Sequence, residues 1–463
     1  MKIRVKKTRI LLLVAVVLLV ALPPVFGMLT ESAVRERAES LRDEGSLRVT
    51  IESFDRGWFT SRAVLSIEPD PTADPRLMLI GFVEPMTVVV DFKHGPLSVH
   101  DGLFFGFSEL VARPALAPSG ELLDAPFDFE FRAHSNFGGS LNFAADIRPF
   151  DSIGEGFALS FSGGRLHGTL ADPRVQAVID AEALQVTQGT TTYSLLGLRA
   201  SADTEQVAEH VRPGTITLEI DRMAVDVGDT DRSTLFDLRA LAVESSSALD
   251  GTREHLDGTL NVVLGRLRLA DGTEIAGARL SAAANRLDVA ALDAYSAAAA
   301  RAAENGVPIA DEVEPAVRRL LAAGPAASID ALQFEVDGEP FDASARAAAD
   351  PAELPAGAAD IRDPALWTAV LDGRAEVTIA KTLADKAAVA IAKWLLGARV
   401  MDGESMPGQS LDALAQAQAG LAIAVLSAQG LLEDTGELYR TVVQLDDGRL
   451  SVNGQPLPLF GLR

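Results

Sequence analysis

The chain has 463 residues, 48% of them hydrophobic, which is enough for a large core, and 65 acidic residues against 41 basic ones give it a formal charge of −24. That balance excludes nucleic acid as a partner, because phosphate backbones are held by basic patches. There is no cysteine, so disulfides, thiol catalysis, cysteine-ligated zinc and iron–sulfur clusters are excluded together.

In chain order, Lys2, Arg4, Lys6, Lys7 and Arg9 precede a run from Ile10 to Leu29 that carries no charge. A hydrocarbon core is crossed by roughly 20 helical residues, and cations ahead of the span keep the N-terminus in the cytoplasm. Residues 1–29 are therefore expected to be a single-pass anchor in the inner membrane of a bacterium, with the bulk of the chain periplasmic. A cleaved signal peptide is the competing reading, with Pro23-Pro24 ending the apolar part and Val25-Phe26-Gly27 as the cleavage site. Both readings export the rest of the chain. No cysteine comes after the run, so a lipoprotein signal is excluded.

Residues 30–45 read as a charged helical stalk stopped by Gly45, and residues 46–287 as an antiparallel β-rich domain. Leu47, Val49 and Ile51 alternate with Arg48, Thr50 and Glu52, the period of a half-buried strand. Asp55-Arg56-Gly57 fits a three-residue hairpin loop with Gly57 in a left-handed conformation, and Phe59, Ala63, Leu65 and Ile67 share one face of the returning strand. Phe127, Phe129 and Phe131 alternate with Asp128, Glu130 and Arg132. After a turn at Gly138-Gly139, Leu141, Phe143, Ala145 and Ile147 alternate with polar residues. Phe157, Leu159 and Phe161, answered by Leu166 and Leu170, suggest a further pair folded over Gly163-Gly164. Further strands are expected at 191–201, 213–227, 233–246, 258–270 and 274–284, with a hairpin turn at Asp271-Gly272.

Residues 288–463 read as an α+β part. Helices are expected over 288–323, with Pro315 in a first turn, over 383–397 and over 410–428, and strands 439–452 close the fold. In the helix at 410–428, Leu411, Leu414, Leu421 and Val425 hold an a/d-like spacing that Gln418 interrupts, so a homo-oligomer seam is one reading. The expected fold class is α+β: an N-terminal transmembrane helix, then a large, mostly antiparallel β-sheet periplasmic domain with inserted helices.

Chemistry is hard to find. There is no G-x-S-x-G elbow, H-E-x-x-H pair or P-loop, so no catalytic, cofactor-binding or metal-binding residue is assigned and no cofactor is expected. His94 and His100 bracket a turn at Gly95-Pro96, but a metal site there needs a third ligand. Trp58 and Phe59 read either as a recognition patch or as aromatics packed beneath their turn. The face formed by Phe127, Phe129, Phe131, Phe143, Phe157 and Phe161 is core if covered. If the sheet curves without a covering layer, it is an apolar groove for a lipid or other apolar ligand. An acyl chain would suit such a groove, as in envelope lipid-transfer proteins of AsmA type, which the chain resembles loosely in its N-terminal run and long series of strands.

Four short strings fall in one order: Phe54-Asp-Arg-Gly-Trp-Phe-Thr-Ser61, Lys93-His-Gly-Pro96, the Leu-Leu-Ala-Ala-Gly-Pro run at 320–325, and Leu450-Ser-Val-Asn-Gly454. In these the chain resembles the YdgA-like family of bacterial inner-membrane-anchored envelope proteins, whose function is not established. Phe54 and Thr60 depart from the Tyr and Ser commoner there. The resemblance marks Gly57, Trp58, Phe59, Ser61, His94, Gly95, Pro96, Asn453 and Gly454 as motif positions and implies a periplasmic domain without known catalytic residues. Three functions remain open: a non-enzymatic envelope protein offering a sheet surface or groove, a homo-oligomeric structural or assembly factor, and a periplasmic hydrolase.

Overall fold

The computed structural model describes residues 28, 30–32, 34–35, 47–69, 86–94, 106–115, 128–154, 157–228, 233–305, 307–355, 361–401 and 411–457. The described strands hydrogen-bond as one antiparallel sheet of 22 strands. Two compact units are distinguished within it: Met1–Gly189 with Leu196–Asp203, and Thr190–Leu195 with Thr204–Arg463.

The first unit holds β1 (Leu47–Arg56), β2 (Thr60–Pro69), β3 (Met86–His94), β4 (Ser108–Ala115), β5 (Phe129–Ser135), β6 (Leu141–Ile147), β7 (Phe150–Gly154), β8 (Phe157–Phe161), β9 (Gly164–Ala171) and β10 (Arg174–Gln188). β1 to β6 pair in chain order, and β6 then pairs with β9. The expected turn at Gly163-Gly164 is not a turn. Ile147 pairs with Gly164 and Phe150 with Phe161 in one register, so β6–β7 and β8–β9 are the two arms of a single hairpin that reverses between Gly154 and Phe157. Along the other edge, β10 runs past β9 and β8 in one register as well. Gly163, at φ +107°, sits where a Cβ would meet the Ile147 carbonyl and the Pro149 ring at 3.4 Å. The glycine thus accommodates a break in both arms, opposite Pro149.

The second unit is built on longer strands: β11 (Thr191–Glu205), which gives residues to both units, then β12 (Gly214–Val227), β13 (Ser233–Leu249), β14 (His255–Leu269), β15 (Glu274–Asp288), β16 (Ala326–Val336), β17 (Glu339–Ala349) and β18 (Leu371–Ala380). Short β19 (Glu433–Asp434), then β20 (Leu438–Asp446), β21 (Arg449–Val452) and β22 (Gln455–Pro456) complete it, with β20 paired to β18. Leu218, Val243, Val262, Leu280 and Leu332 lie directly opposite one another across β12 to β16. Alternation within each strand thereby becomes one apolar row across five.

Helices are insertions between these strands. α1 (Val289–Asn305) and α2 (Ile309–Ala322) separate β15 from β16; α3 (Pro364–Val370) precedes β18; α4 (Lys381–Met401) and α5 (Leu411–Ala428) come after it. Asp363 starts α3 by accepting a hydrogen bond from the Ala365 amide at 2.9 Å, ahead of Pro364 in the first turn. The helix then buries Leu366 and Val370 against Leu321 and Ala349. Pro315 lies inside α2 and not in a first turn.

The expected α+β class with an N-terminal transmembrane helix is overturned. The structure is mostly antiparallel sheet, 59% strand against 23% helix, and its helices pack chiefly on one another, α1 on α2 and α4 on α5. Among the described residues the helix long and apolar enough to cross a membrane is Leu411–Ala428, near the C-terminus. Apart from Met28, the run Ile10–Leu29 lies outside the described residues.

Candidate functional site: an apolar groove and a buried serine–histidine pair

Alternation in β1 to β6 sorts the first unit's side chains into two chemically opposite faces. On one, Ala63, Val88, Val90, Phe92 and Ala112 form a buried cluster, with Phe54, Leu65, Ile67, Met86, Leu110, Phe129 and Phe131 packed around it. Among the described residues this face is buried at its centre and half-buried at its margin. It leaves a groove of about 450 Å³ whose walls run from Val49 and Ile67 through Val90 and Phe92 to Phe129, Phe131, Ala145 and Ile147. Val34, on a helical stretch within the expected stalk, lines the groove too. Glu31 of that stretch pairs with Arg56 at 3.4 Å. Glu31 and Val34 of the expected stalk thus lie against the sheet.

The opposite face is charged. Arg113 reaches Glu130 at 2.6 Å, Arg132 joins the same carboxylate, Arg148 holds Asp128 at 2.7 Å and Arg165 holds Asp146 at 3.2 Å. Burial works to raise the Glu130 carboxyl, but the two guanidinium hydrogen bonds prevail and hold it below the usual range. A hollow of about 1280 Å³ lies against this face. Four of the arginines lining it are already paired with its carboxylates, which argues against it as a ligand site.

At the groove's Phe92 end, two of the motif strings meet. β2 and β3 pair so that Ser61 lies opposite Phe92, and the Ser61 hydroxyl stands 2.7 Å from His94 Nε2. Both residues are 4% exposed. The His94 amide donates to the Phe59 carbonyl at 2.7 Å, and the Phe92 and His94 rings stack at 6.5 Å and 10°. Burial lowers the imidazole's pKa, since a charged ring would lose its hydration there. His94 Nδ1 is buried without a hydrogen-bond partner.

The other motif positions serve local structure. The hairpin loop falls at residues 57–60, because Asp55 and Arg56 still pair with Arg62 and Ser61. Gly57 is not left-handed there; its Cβ would lie 2.7 Å from the Thr60 carbonyl oxygen, so close approach requires the glycine. Trp58 and Phe59 are 55% and 53% exposed, not packed beneath the turn. Asn453, at φ +49°, accepts from the Val442 amide at 2.7 Å and donates to the Gly430 carbonyl at 2.9 Å, tying the chain after α5 to β20. Gly454 supplies φ +76° in the same turn. Gly95, Pro96, His100 and Phe127 lie outside the described residues.

Of the expected Phe face, Phe129 and Phe131 line the groove, and Phe143 stacks 6.5 Å from Phe131. Phe161 instead meets Phe150 at 5.6 Å beyond the Pro149–Gly163 break, and Phe157 pairs with Gly154 and Gln188. Sequence reasoning missed β3, whose Val88, Val90 and Phe92 supply the groove floor. Its signal was present in Met86-Thr-Val-Val-Val-Asp-Phe, a β-branched run ending in alternation. Among the described residues, no group of three or more His, Asp or Glu is arranged to hold a metal.

No curated protein and no solved structure matches the chain. A family model described as bacterial protein of unknown function (DUF945) matches residues 5–460, nearly the whole length, and the chain belongs to that family.

Proposed function

We propose that this chain is a non-enzymatic envelope protein that binds one apolar ligand of the acyl-chain class in the groove of its first unit. The carrying observation is the groove itself: its walls are hydrocarbon side chains, its volume is about 450 Å³, and small-molecule sites commonly span ~300–1,000 Å³. A concave site with a buried apolar floor and a half-buried apolar margin is the usual form of a small-molecule pocket. The five cations ahead of the uncharged run Ile10–Leu29 support export to the periplasmic side of the inner membrane. The finer kinship, to the YdgA-like envelope proteins, rests on the four motif strings and belongs to the same proposal.

Mass spectrometry of protein purified without added lipid tests the groove. Acyl species in fixed stoichiometry are expected on the wild type and their loss on Ala145→Trp, which fills the groove from a half-buried position, provided the variant melts like the wild type. A wild type free of acyl species that also fails to bind a fluorescent fatty acid would remove the proposal.

A second reading, ester hydrolysis, has one observation in its favour. Ser61 and His94 stand at the distance of a nucleophile and its base. Against it, both are buried and no group among the described residues holds Nδ1, the atom whose partner fixes the tautomer in a working triad. Labelling of the wild type, but not of Ser61→Ala, by a fluorophosphonate would promote this reading.

A further inference from the structure

The helical hairpin of the second unit buries one stripe of each helix and leaves a second apolar surface in the open. α4 and α5 meet through Ala392 and Leu396 on one side and Leu414 and Ala415 on the other, and Lys393 reaches across to Asp412 at 2.8 Å. That contact does not involve Ile391, Trp394 and Leu395, at spacing i, i+3, i+4 on α4, which are 58%, 73% and 51% exposed. On α5, Leu421 and Val425, four residues apart, are 66% and 43% exposed.

Chemistry separates the candidate occupants. From Ala413 to Gly430 there is no ionisable residue; the 18 residues of α5 have a mean hydropathy of 1.4 and only 11% of them are buried. A helix apolar on most of its circumference is normally enclosed by protein or lipid. A second copy of the chain is disfavoured, because the row expected to form a homotypic seam is not one surface: Leu414 faces α4, whereas Gln418, Leu421 and Val425 are exposed. Lipid fits the charges. In a chain of net charge −24, α4 carries Arg399 and the lysines Lys381, Lys386 and Lys393 against Asp385. The lysines' ion pairs with Asp434, Asp337 and Asp412 are partly or largely exposed, worth little in water and open to exchange for phosphate. Trp394 beside Lys393 is the pairing found at headgroup level, where an indole ring and a snorkelling ammonium both find their solvent.

We infer that α4 and α5 form an interfacial membrane-binding hairpin. Ile391, Trp394, Leu395, Leu421 and Val425 enter the acyl boundary of a bilayer containing anionic phospholipid, and Lys393 meets the phosphates. This contact is independent of the N-terminal run and of the groove.

The absence of cysteine makes the test direct, since one introduced cysteine gives one label. The full chain is reconstituted into phosphatidylcholine–phosphatidylglycerol vesicles, carrying a nitrobenzoxadiazole label at Ile391→Cys, at Leu421→Cys, or at Glu335→Cys on an exposed strand position as control. Because the N-terminal run could tether the chain by itself, the readout is local to each label. Labels at 391 and 421 are expected to shift to the blue and to lose quenching by aqueous iodide severalfold, while the label at 335 stays quenchable. Equal quenching at all three positions would overturn the inference. So would shielding that disappears on dilution to one chain per vesicle while Leu421→Cys forms a disulfide between copies, because the occupant would then be a second molecule.

Discussion

Two apolar faces built by the same alternation end up in different states. In β1 to β6 of the first unit, Ala63, Val88, Val90, Phe92 and Ala112 fall to 8% exposure or less. Across β12 to β16 of the second unit, the row from Leu218 to Leu332 stays half-buried, and among the described residues of those strands only Ala224 is a buried hydrophobic. Alternation places side chains on a face; whether that face becomes a core depends on what lies over it, which is not a local property of the strand.

The sharpest way to break this comparison is to put a charge on each face. Val90→Glu buries an unpaired carboxylate and is expected to cost on the order of 4 kcal/mol or to unfold the first unit. Val262→Glu, on the half-buried row, is expected to cost about 1 kcal/mol. Denaturant melts of the two variants check this, and equal losses would mean that the faces do not differ.

Glycines separate the units next. At Gly168 a Cβ would overlap the Gln176 carbonyl oxygen and lie 2.5 Å from the Phe143 ring. Gly168→Ala is therefore expected to cost about 2 kcal/mol through overpacking. At Gly258 the nearest atom to a Cβ is 3.6 Å away, so Gly258→Ala is expected to gain ~0.5 kcal/mol by restricting the unfolded chain. Opposite signs in thermal melting would confirm that the first unit's strands are the more tightly layered.

These contrasts also show what was legible in the residues. Where one face is more buried than the other, as at Val49 and Ile51 against Arg48 and Glu52, alternation reveals the strand. β3 was invisible to that rule because Val89, on the opposite side from Val88 and Val90, is itself 2% exposed; burial on both faces erases the period. The pair Gly163-Gly164 suggested a turn, yet glycine serves a close approach as readily as a reversal, and only the partner strand with Pro149 distinguishes them. The Ser61–His94 contact joins residues 33 positions apart. It depends on the β2–β3 register, which no spacing rule supplies. Helices were expected near α1, α2, α4 and α5 but not at α3, where a Pro/Ala/Asp loop was expected up to about residue 365, and the packing of helix on helix was not legible.

Each unit also holds one motif side chain in an internal hydrogen bond. Asn453→Ala removes the bonds to Val442 and Gly430 at a left-handed position and is expected to cost about 2 kcal/mol. Ser61→Ala removes the hydroxyl partner of His94 Nε2 and is expected to cost about 1 kcal/mol. Hydrogen exchange should localise the first loss to amides around Gly430 and Val442 and the second to β2 and β3. Loosening of β2 and β3 by the Asn453 variant would contradict that assignment.

Acid titration gives the smallest contrast and the most direct one on His94. Its pKa is lowered in the fold, so the unfolded chain binds a proton that the folded imidazole refuses. Stability from this group is full above the ordinary histidine value of 6.5. It falls as pH drops below that value and levels off once the folded ring also protonates. Asp237, in the second unit, behaves as a lowered acid: burial works to raise it, but hydrogen bonds from Arg239 and Arg222 prevail. Its contribution is present above the ordinary value of 3.8 and is lost only as pH falls through the range below it. On acidification the amides of β2 and β3 should therefore lose protection before those of β12 and β13. In His94→Gln, which keeps a hydrogen-bonding group beside Ser61 but does not titrate, the early loss should vanish while the later one remains. If wild type and variant soften together, His94 is not the group responsible. A ring-carbon titration by NMR that places His94 at or above the histidine value of the denatured chain would remove the physical basis for the contrast.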